Sequence, residues 1–572
     1  MKKYIFGSLM IGTALLTGCS LDETPLSQLN ENQAFSNPTL TYVNSVASVY
    51  SSIGDGWYGG TDNIHTLGEF SSDATMLPGR QGDWVDGGKW QNIFLHNFQS
   101  SVDLYANVWN HIYKIIGNCN SNIDKLQGFG NEYAGYVNEL RALRAMYYYN
   151  ACDIFANVPI VTSSSQSIGD VKQSSRKEVF DFVLKELTEV LPSLSTESSI
   201  NETSTYYGRV NQAVAYMCLA KLALNAPVLT TNVTSPTSLQ VFVGNDLSGA
   251  CTASETQGAA VSAQGSSIQM TVDGTSRNAW ETVIYCVEKL ESMGFRLESD
   301  YTKNFAVANS SSVENIWVRP NDDKKYLITD YNLIRSLHYN HAGGMNYSGW
   351  NGACATVRAM QVMGYNTPGQ DPRLSLNYYT GTDYTSDTGT LVNDGATAAN
   401  LEYLPLAAVV DFGDGSDPHD VKCAGARFKK YEFDKTSTIQ GDNNNDLVIW
   451  RYGDALLMKA EAEYRLGNTG AALNDVNTIR QRAGATPRTS LTLNDLLDER
   501  MTELAWEGVR RQDQIRFCTF TQPTADRYVG VHHNAAAGDY NDDKQGWTNV
   551  YPIPYSVINL NSNLTQNPGY TN

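Results

Sequence analysis

Apolar residues recur at spacings of three and four over several long stretches of the chain, the period of an amphipathic helix. Residues 104–126 and 133–155 carry it most clearly: ELRALRAMYYYNACDIF sets Leu140, Leu143, Tyr147 and Ala151 on one face. The second stretch closes at ANVPIV, because Pro159 has no N–H for a further turn. The same period predicts helices over 177–191, 209–225 and 279–293, the first two stopped by Pro192 and Pro227, and again over 454–466, 471–483 and 493–509. VENIWVRP and DLVIWRYG read as strands instead.

Two of the later helices form a unit. YGDALLMKAEAEYRLGNTGAALNDVNTIRQRAGA reads as helix, Gly-Asn turn, helix over about 34 residues, with small Ala460 and Ala462 where a partner helix must approach closely. This is the logic of a tetratricopeptide repeat, and the segment from Arg209 looks like the first helix of another. Such units cannot bury their apolar faces alone, so they stack. The pattern therefore predicts a mostly α fold with helical repeats over about 104–226 and 453–510. Loop-rich regions over about 54–100 and 230–440 interrupt them, and loops of that length usually carry function.

The N-terminus changes the picture. MKKYIFGSLMIGTALLTGCS has two lysines and an apolar stretch from Ile5 to Leu16, shorter than the roughly 20 residues a bilayer span requires, so it reads as a secretion signal. Leu16-Thr17-Gly18-Cys19 matches a lipobox: residues 1–18 would be removed and Cys19 would carry acyl chains, tethering a body of residues 19–572 to a membrane.

Charge and chemistry narrow the function. With 60 acidic against 41 basic residues the formal net charge is −19, which excludes nucleic acid as a natural partner. The nine cysteines form no CxxC pair and several lie on apolar helical faces, so they read as small buried hydrophobes. There is no HExxH, GxSxG, Walker loop or GxGxxG at a strand-to-helix turn. His338 and His341 in HYNHAGG have ligand spacing but no third ligand, and Cys354 has no identifiable base. Nothing marks two of the acidic residues as a glycosidase pair. Oxygen-rich clusters at 539–543, 442–446 and 411–414 imitate calcium loops; the first lacks the glycine and glutamate such a loop uses, and solvated turns account for all three more simply.

Four blocks carry a resemblance to a known family. ELRALRAMYYYNACDIFANVPIV, VIWRYGDALLMKAEAEYRLGN, LLDERMTELAWEGVRRQDQIRF and YPIPYSVINLNSNLTQNPGY look like the recurrent blocks of the SusD/RagB family, in that order and behind a lipobox. The resemblance implies a lipid-anchored outer-membrane protein at the cell surface. Helical repeats would support an irregular ligand-binding half that captures a glycan and passes it, without catalysis, to a SusC-like TonB-dependent transporter. Peptide or other non-glycan capture for the same type of transporter is the alternative, and a surface glycosidase is a further one. No cofactor is required, although the resemblance admits a structural calcium.

Sugar recognition needs aromatic planes for the C–H face and polar groups for the hydroxyl rim. Trp109, Trp280 and Trp506 fall within helical periodicity and Trp317 and Trp450 within strands, leaving Trp57, Trp84, Trp90, Trp350 and Trp547 as loop candidates. By resemblance, the block SSDATMLPGRQGDW supplies Asp73, Arg80 and Trp84, and the block GWNG supplies Trp350, with Tyr326 about two dozen residues before it. Asp73 and Arg80 are expected at the polar rim, Trp84 as a sugar platform, and Trp90 as a core anchor for the loop GDWVDGGKW.

Overall fold

The computed structural model describes residues 37–571 apart from 55, 59, 247, 323–330, 383, 436–442 and 529–539. Helix starts follow the capping residues. Ser175 with Glu178, Asn278 with Glu281, and Thr492 with Asp495 each form a reciprocal capping box that satisfies otherwise orphaned N–H groups.

The chain divides into two compact units, residues 1–48 and 49–572. In the described part of the first, Asn37 caps the short helix Pro38–Tyr42 by accepting from the Leu40 N–H, and a π-helical turn, Val43–Ala47, follows.

In the second unit, helix Asp103–Phe129 packs on Ala134–Phe155, which packs on Arg176–Val190. The row continues through Gln212–Leu224, Ala279–Ser292, Tyr452–Arg465 and Thr469–Arg482, each against its predecessor. The two helical groups of the sequence thus form one row of packed helices. Ala460 and Ala462 are fully buried in it. The long excursion between Ser292 and Tyr452 leaves the stack and returns to it. Strand Asn315–Arg319 pairs antiparallel with Leu447–Arg451 at the two ends of that excursion, setting Trp317 opposite Trp450.

Three expectations are corrected. Trp57 is no loop platform: it is buried, edge-on to Trp317 at 5.0 Å and to Tyr147 at 5.1 Å. The helix predicted over 493–509 stops at Glu503, and a new one, Arg510–Arg516, begins after a turn in which Trp506 and Gly508 take φ of 61° and 71°. The turn lets the Trp506 carbonyl reach His65 Nε2 at 2.9 Å and the Gly508 backbone lie against Gly68, where any Cβ would clash. The stretch 230–276 is not wholly irregular either; it holds helix Glu255–Ser267 and the start of a hairpin, Gln269–Val272 with Thr275–Asn278.

Two of the blocks that carried the resemblance, around Arg451 and Glu503, meet other segments in a buried charge network. Arg451 pairs with Glu314, Glu503 and Glu507, Arg373 with Asp371, Glu499 and Glu503, and Arg516 with Glu461 and Asp513. A buried pair contributes little net stability over an apolar equivalent, but losing one member leaves the other desolvated and unpaired.

Candidate functional site

The segment GDWVDGGKW and its surroundings are built on unusual backbone. Between positions 81 and 88, Gln81, Gly82, Trp84, Asp86, Gly87 and Gly88 all have positive φ. Glycine takes that region freely, but for Trp84 at 61° it costs of order 1 kcal/mol or more, and such strain persists where surrounding contacts enforce it. Here they do. The Trp84 carbonyl accepts from Gln91 Nε2 at 3.0 Å, and its indole N–H donates to the Trp350 carbonyl at 3.0 Å. The polar edge of the ring is thus consumed internally, and the half-buried ring is left with apolar surface only.

Trp90 starts helix Lys89–Phe94, is buried, and donates its indole N–H to Asp86 Oδ2 at 2.7 Å. It lies 6.2 Å from the Trp84 ring centroid, nearly edge-on, and supports it from inside. Trp350 is 6.1 Å from Trp84 with the planes tilted by 41°, and is 41% exposed. Two indoles from loops 266 residues apart thus meet at the surface.

What holds the second loop there is Arg80. Strand Gly79–Arg80 runs parallel to Asp411–Phe412, and the Arg80 side chain turns inward, 2% exposed. It donates to the carbonyls of Gly352, Val421 and Ala424 at 2.6–3.3 Å. Arg427 crosses the same region, fully buried, donating to Asn351 Oδ1 at 3.0 Å and to the Lys422, Ala424 and Gly425 carbonyls. Burial, and then the neighbouring Arg427 charge, push Arg80 down to about 9. Gly352 is required between them, because a Cβ would sit 2.5 Å from the Trp84 indole. The expectation that Arg80 lines a polar rim is corrected: the side chain is buried, its Nε, Nη1 and Nη2 all donate to main-chain oxygen, and it positions the Trp350 loop.

Asp73 is corrected in the same sense. It is fully buried, and both its oxygens face Arg510, at 2.7 Å to Nε and 2.9 Å to Nη2. Burial alone would raise its pKa, but Arg510 outweighs that and holds it below the usual carboxylate range. Its own carbonyl accepts from Thr356, next to the short Cys354–Ala355 strand that pairs with Thr75–Met76. Tyr326 and Cys19 lie outside the described residues.

The polar groups that do stand beside the indoles are others. Asp83, immediately before Trp84, is exposed and 3.6 Å from Lys422 Nζ. Lys422 lies over the ring of Tyr339, 5.6 Å from its centroid, and Tyr339 is 37% exposed. Burial, and then Asp394 and Asp83, raise the Tyr339 hydroxyl's pKa, so it stays a neutral donor and acceptor. His338 and His341, whose spacing admits a metal, flank this tyrosine from inside. His338 Nδ1 caps the Tyr339–Gly344 helix by accepting from the Asn340 N–H, and His341 Nδ1 is 3.1 Å from the Tyr403 hydroxyl. Burial lowers their pKa values to about 3 and about 4. Cys354 is buried, and all cysteines among the described residues are free. Asp543 is a buried turn cap and not a solvated one, accepting from the N–H groups of Gln545, Gly546 and Thr548. Among the described residues no group of three or more His, Cys, Asp or Glu side chains is placed to hold a metal.

Comparison with known proteins bears on the family and the fold. Residues 299–570 match the SusD family, and residues 24–224 match the family described as "Starch-binding associating with outer membrane". The chain belongs to the SusD/RagB family. It is 25% identical over 460 residues to the starch-binding protein SusD of Bacteroides thetaiotaomicron, covering 76% of this chain and 72% of that one. Its fold is similar to that of surface glycan-binding protein A from Bacteroides uniformis, with a TM-score of 0.64 at 19% identity over 91% of this chain and 98% of that one. It is also similar to a laminarin-binding SusD-like protein, with a TM-score of 0.63 at 19% identity over 93% and 100%.

The sequence singled out Trp84 and Trp350 as candidates but not Tyr339, Asp83 or Lys422, which the structure groups through Lys422 near Asp83 and over Tyr339. Asp83 could have been found, since it directly precedes Trp84; Tyr339 stood between two histidines that drew attention as metal ligands. Lys422, in DVKC, carried no signal, because only the chain's return at 418–424 brings it to Asp83.

Proposed function

We propose that this SusD/RagB member captures an oligosaccharide or polysaccharide chain at the cell surface and delivers it to a SusC-like TonB-dependent transporter, without chemistry of its own. The carrying observation is the Trp84–Trp350 pair: two indoles hydrogen-bonded loop to loop, Trp84 half-buried and Trp350 41% exposed, on supports that are buried. A neutral sugar ring lies on such a surface through its C–H face, and Tyr339, Asp83 and Lys422 supply donors and acceptors for its hydroxyls. Two rings plus a few exposed hydrogen bonds support millimolar to micromolar affinity, about −4 to −8 kcal/mol. That range suits a protein that must release its cargo. Starch and laminarin binding by relatives supports a glucan-like ligand.

The lipobox at Cys19 and the outer-membrane association of the matching family support a lipid-anchored location in the outer membrane. The absence of a hydrolytic motif and the binding names of the relatives support a non-catalytic role. Affinity electrophoresis of the soluble body across a panel of polysaccharides, with reducing ends assayed in parallel, tests both claims. Retardation on at least one polysaccharide with no new reducing ends is expected. No retardation on any would overturn glycan capture, and new reducing ends would overturn the binding-only role.

A further inference from the structure

A second surface pocket lies where the C-terminal segment meets the loop that precedes helix Asp103–Phe129. Its volume is about 550 Å³, and Phe98, Gln99, Ser100, Trp547, Tyr555 and Tyr570 are among its lining residues. It shares no lining residue with the Trp84–Trp350 pair, and its volume falls in the range of small-molecule sites. Three features mark it as built.

The first is a fixed indole. Gly569, at φ 96°, lies so close to Trp547 that a Cβ would sit 2.4 Å from its Cγ, so the main chain backs the ring directly. Tyr570 meets the ring edge-on at 4.7 Å and 89°, while its hydroxyl donates to the Val550 carbonyl at 2.6 Å. Trp547 is thereby held without being fully buried.

The second is an exposed phenol lining the same pocket. Tyr555 is 47% exposed, an unusual placement for a large ring, and its backbone N–H donates to the Ser100 carbonyl at 3.0 Å. The Ser100 hydroxyl in turn donates to the Thr571 carbonyl at 3.1 Å, closing the pocket wall.

The third is the charge pattern. None of the nine lining residues carries a formal charge, in a chain whose net charge is −19. Serine, glutamine and threonine supply the polar groups. An ionic ligand would find no counter-charge among them, and a purely apolar one would leave hydroxyls and amides desolvated. A neutral polyhydroxylated ring meets both demands, with C–H faces for the aromatics and hydroxyls for the amide and serines.

We propose that this pocket is a second carbohydrate-binding subsite, taking neutral sugar residues between Trp547 and Tyr555. The choice of ligand class rests on the glycan-capture reading of the first site; the pocket itself does not. A second weak site on one protein raises retention on a long polymer through effective concentration, with no need for tight binding at either.

The test labels the soluble body with 5-fluorotryptophan and follows its ten tryptophans by fluorine NMR, with Trp547→Phe and Trp350→Phe assigning the two relevant signals. The probes are laminarihexaose, maltoheptaose, cellohexaose and xylohexaose. Both signals are expected to shift with at least one of these, and the Trp547 shift is expected to persist when Trp350 is replaced by alanine. Tyr555→Ala, at an exposed position, is expected to weaken the midpoint of the Trp547 titration by about fivefold, the loss of one ring face. A shift at Trp350 alone overturns the second subsite and leaves the first site standing. A shift at Trp547 alone supports the second subsite and removes the first. No shift at either overturns both. A Trp547 midpoint unchanged in Tyr555→Ala overturns the role of Tyr555 in the subsite.

Discussion

Trp350→Ala is the sharpest test of the first site, because the structure separates the ring from its support. The Trp350 N–H donates to the Ile334 carbonyl at 2.8 Å and its carbonyl accepts from Trp84, so alanine keeps both main-chain bonds. The ring is 41% exposed, which for a tryptophan of about 250 Å² leaves on the order of 100 Å² available to a ligand. A sugar that covers about half of that, and buries a similar area of its own, removes roughly 100 Å² from water in all. At about 25 cal/mol per Å² the upper limit is about 2.5 kcal/mol, and imperfect coverage brings the expected loss to about 1–2 kcal/mol. The dissociation constant should weaken by about 5–30-fold. Isothermal titration calorimetry with the best ligand from the polysaccharide panel measures it. Thermal unfolding should change little, since a surface substitution that spares the backbone usually costs within about 0.5 kcal/mol. An unchanged dissociation constant in a stably folded variant would refute the platform role, and a large fall in stability would refute the separation of ring from support.

Other outcomes follow from the residues moved out of the site. Arg80→Met should destabilise the protein by about 2–4 kcal/mol in denaturant unfolding, because three buried carbonyls lose a charged donor. It should also weaken glycan binding in the folded fraction through the freed Trp350 loop; unchanged affinity would mean that the loop holds without it. Asp73→Asn should cost about 3–5 kcal/mol by leaving Arg510 buried and unpaired, with the affinity of the folded protein unchanged. A selective loss of affinity would return Asp73 to the ligand. The buried network also sets an acid limit. Burial pushes Glu461 up, but Arg516 and Arg465 outweigh it and hold its pKa down to about 2 against 4.5 when unfolded. A depressed acid contributes stability that is complete above about pH 4.5 and lost as pH falls toward 2, about 3 kcal/mol in full. Unfolding free energies measured across that window should fall, more shallowly in Glu461→Gln, which is already destabilised at neutral pH; equal slopes would refute the assignment.

The limits of sequence reading show at particular residues. The helices at 104–126, 133–155 and 279–293 were legible because their periodicity, prolines and caps are local, and the structure moves their ends by no more than three residues. The break after Glu503 was not, because Trp506 and Gly508 leave the helix to meet His65 and Gly68, far away in the chain. Asp73, Arg80 and Trp84 looked alike as members of one block. Asp73 meets Arg510 across 437 residues, Arg80 meets carbonyls beyond position 350, and only Trp84 reaches the surface.

By itself, then, the chain's sequence determined what depends on neighbours a few residues apart: the long helices, with their caps and stops, and the glycine-rich loop that carries Trp84 and Trp90. Only the tertiary structure decided which charged groups are spent inside. A carboxylate or guanidinium is chemically the same whether it faces water, a sugar or an opposite charge, and its role is set by partners that folding brings from hundreds of residues away. For that reason Trp84 and Trp350 could be singled out as candidates early, while the neighbourhood of Asp83, Lys422 and Tyr339 became visible only once the loops met.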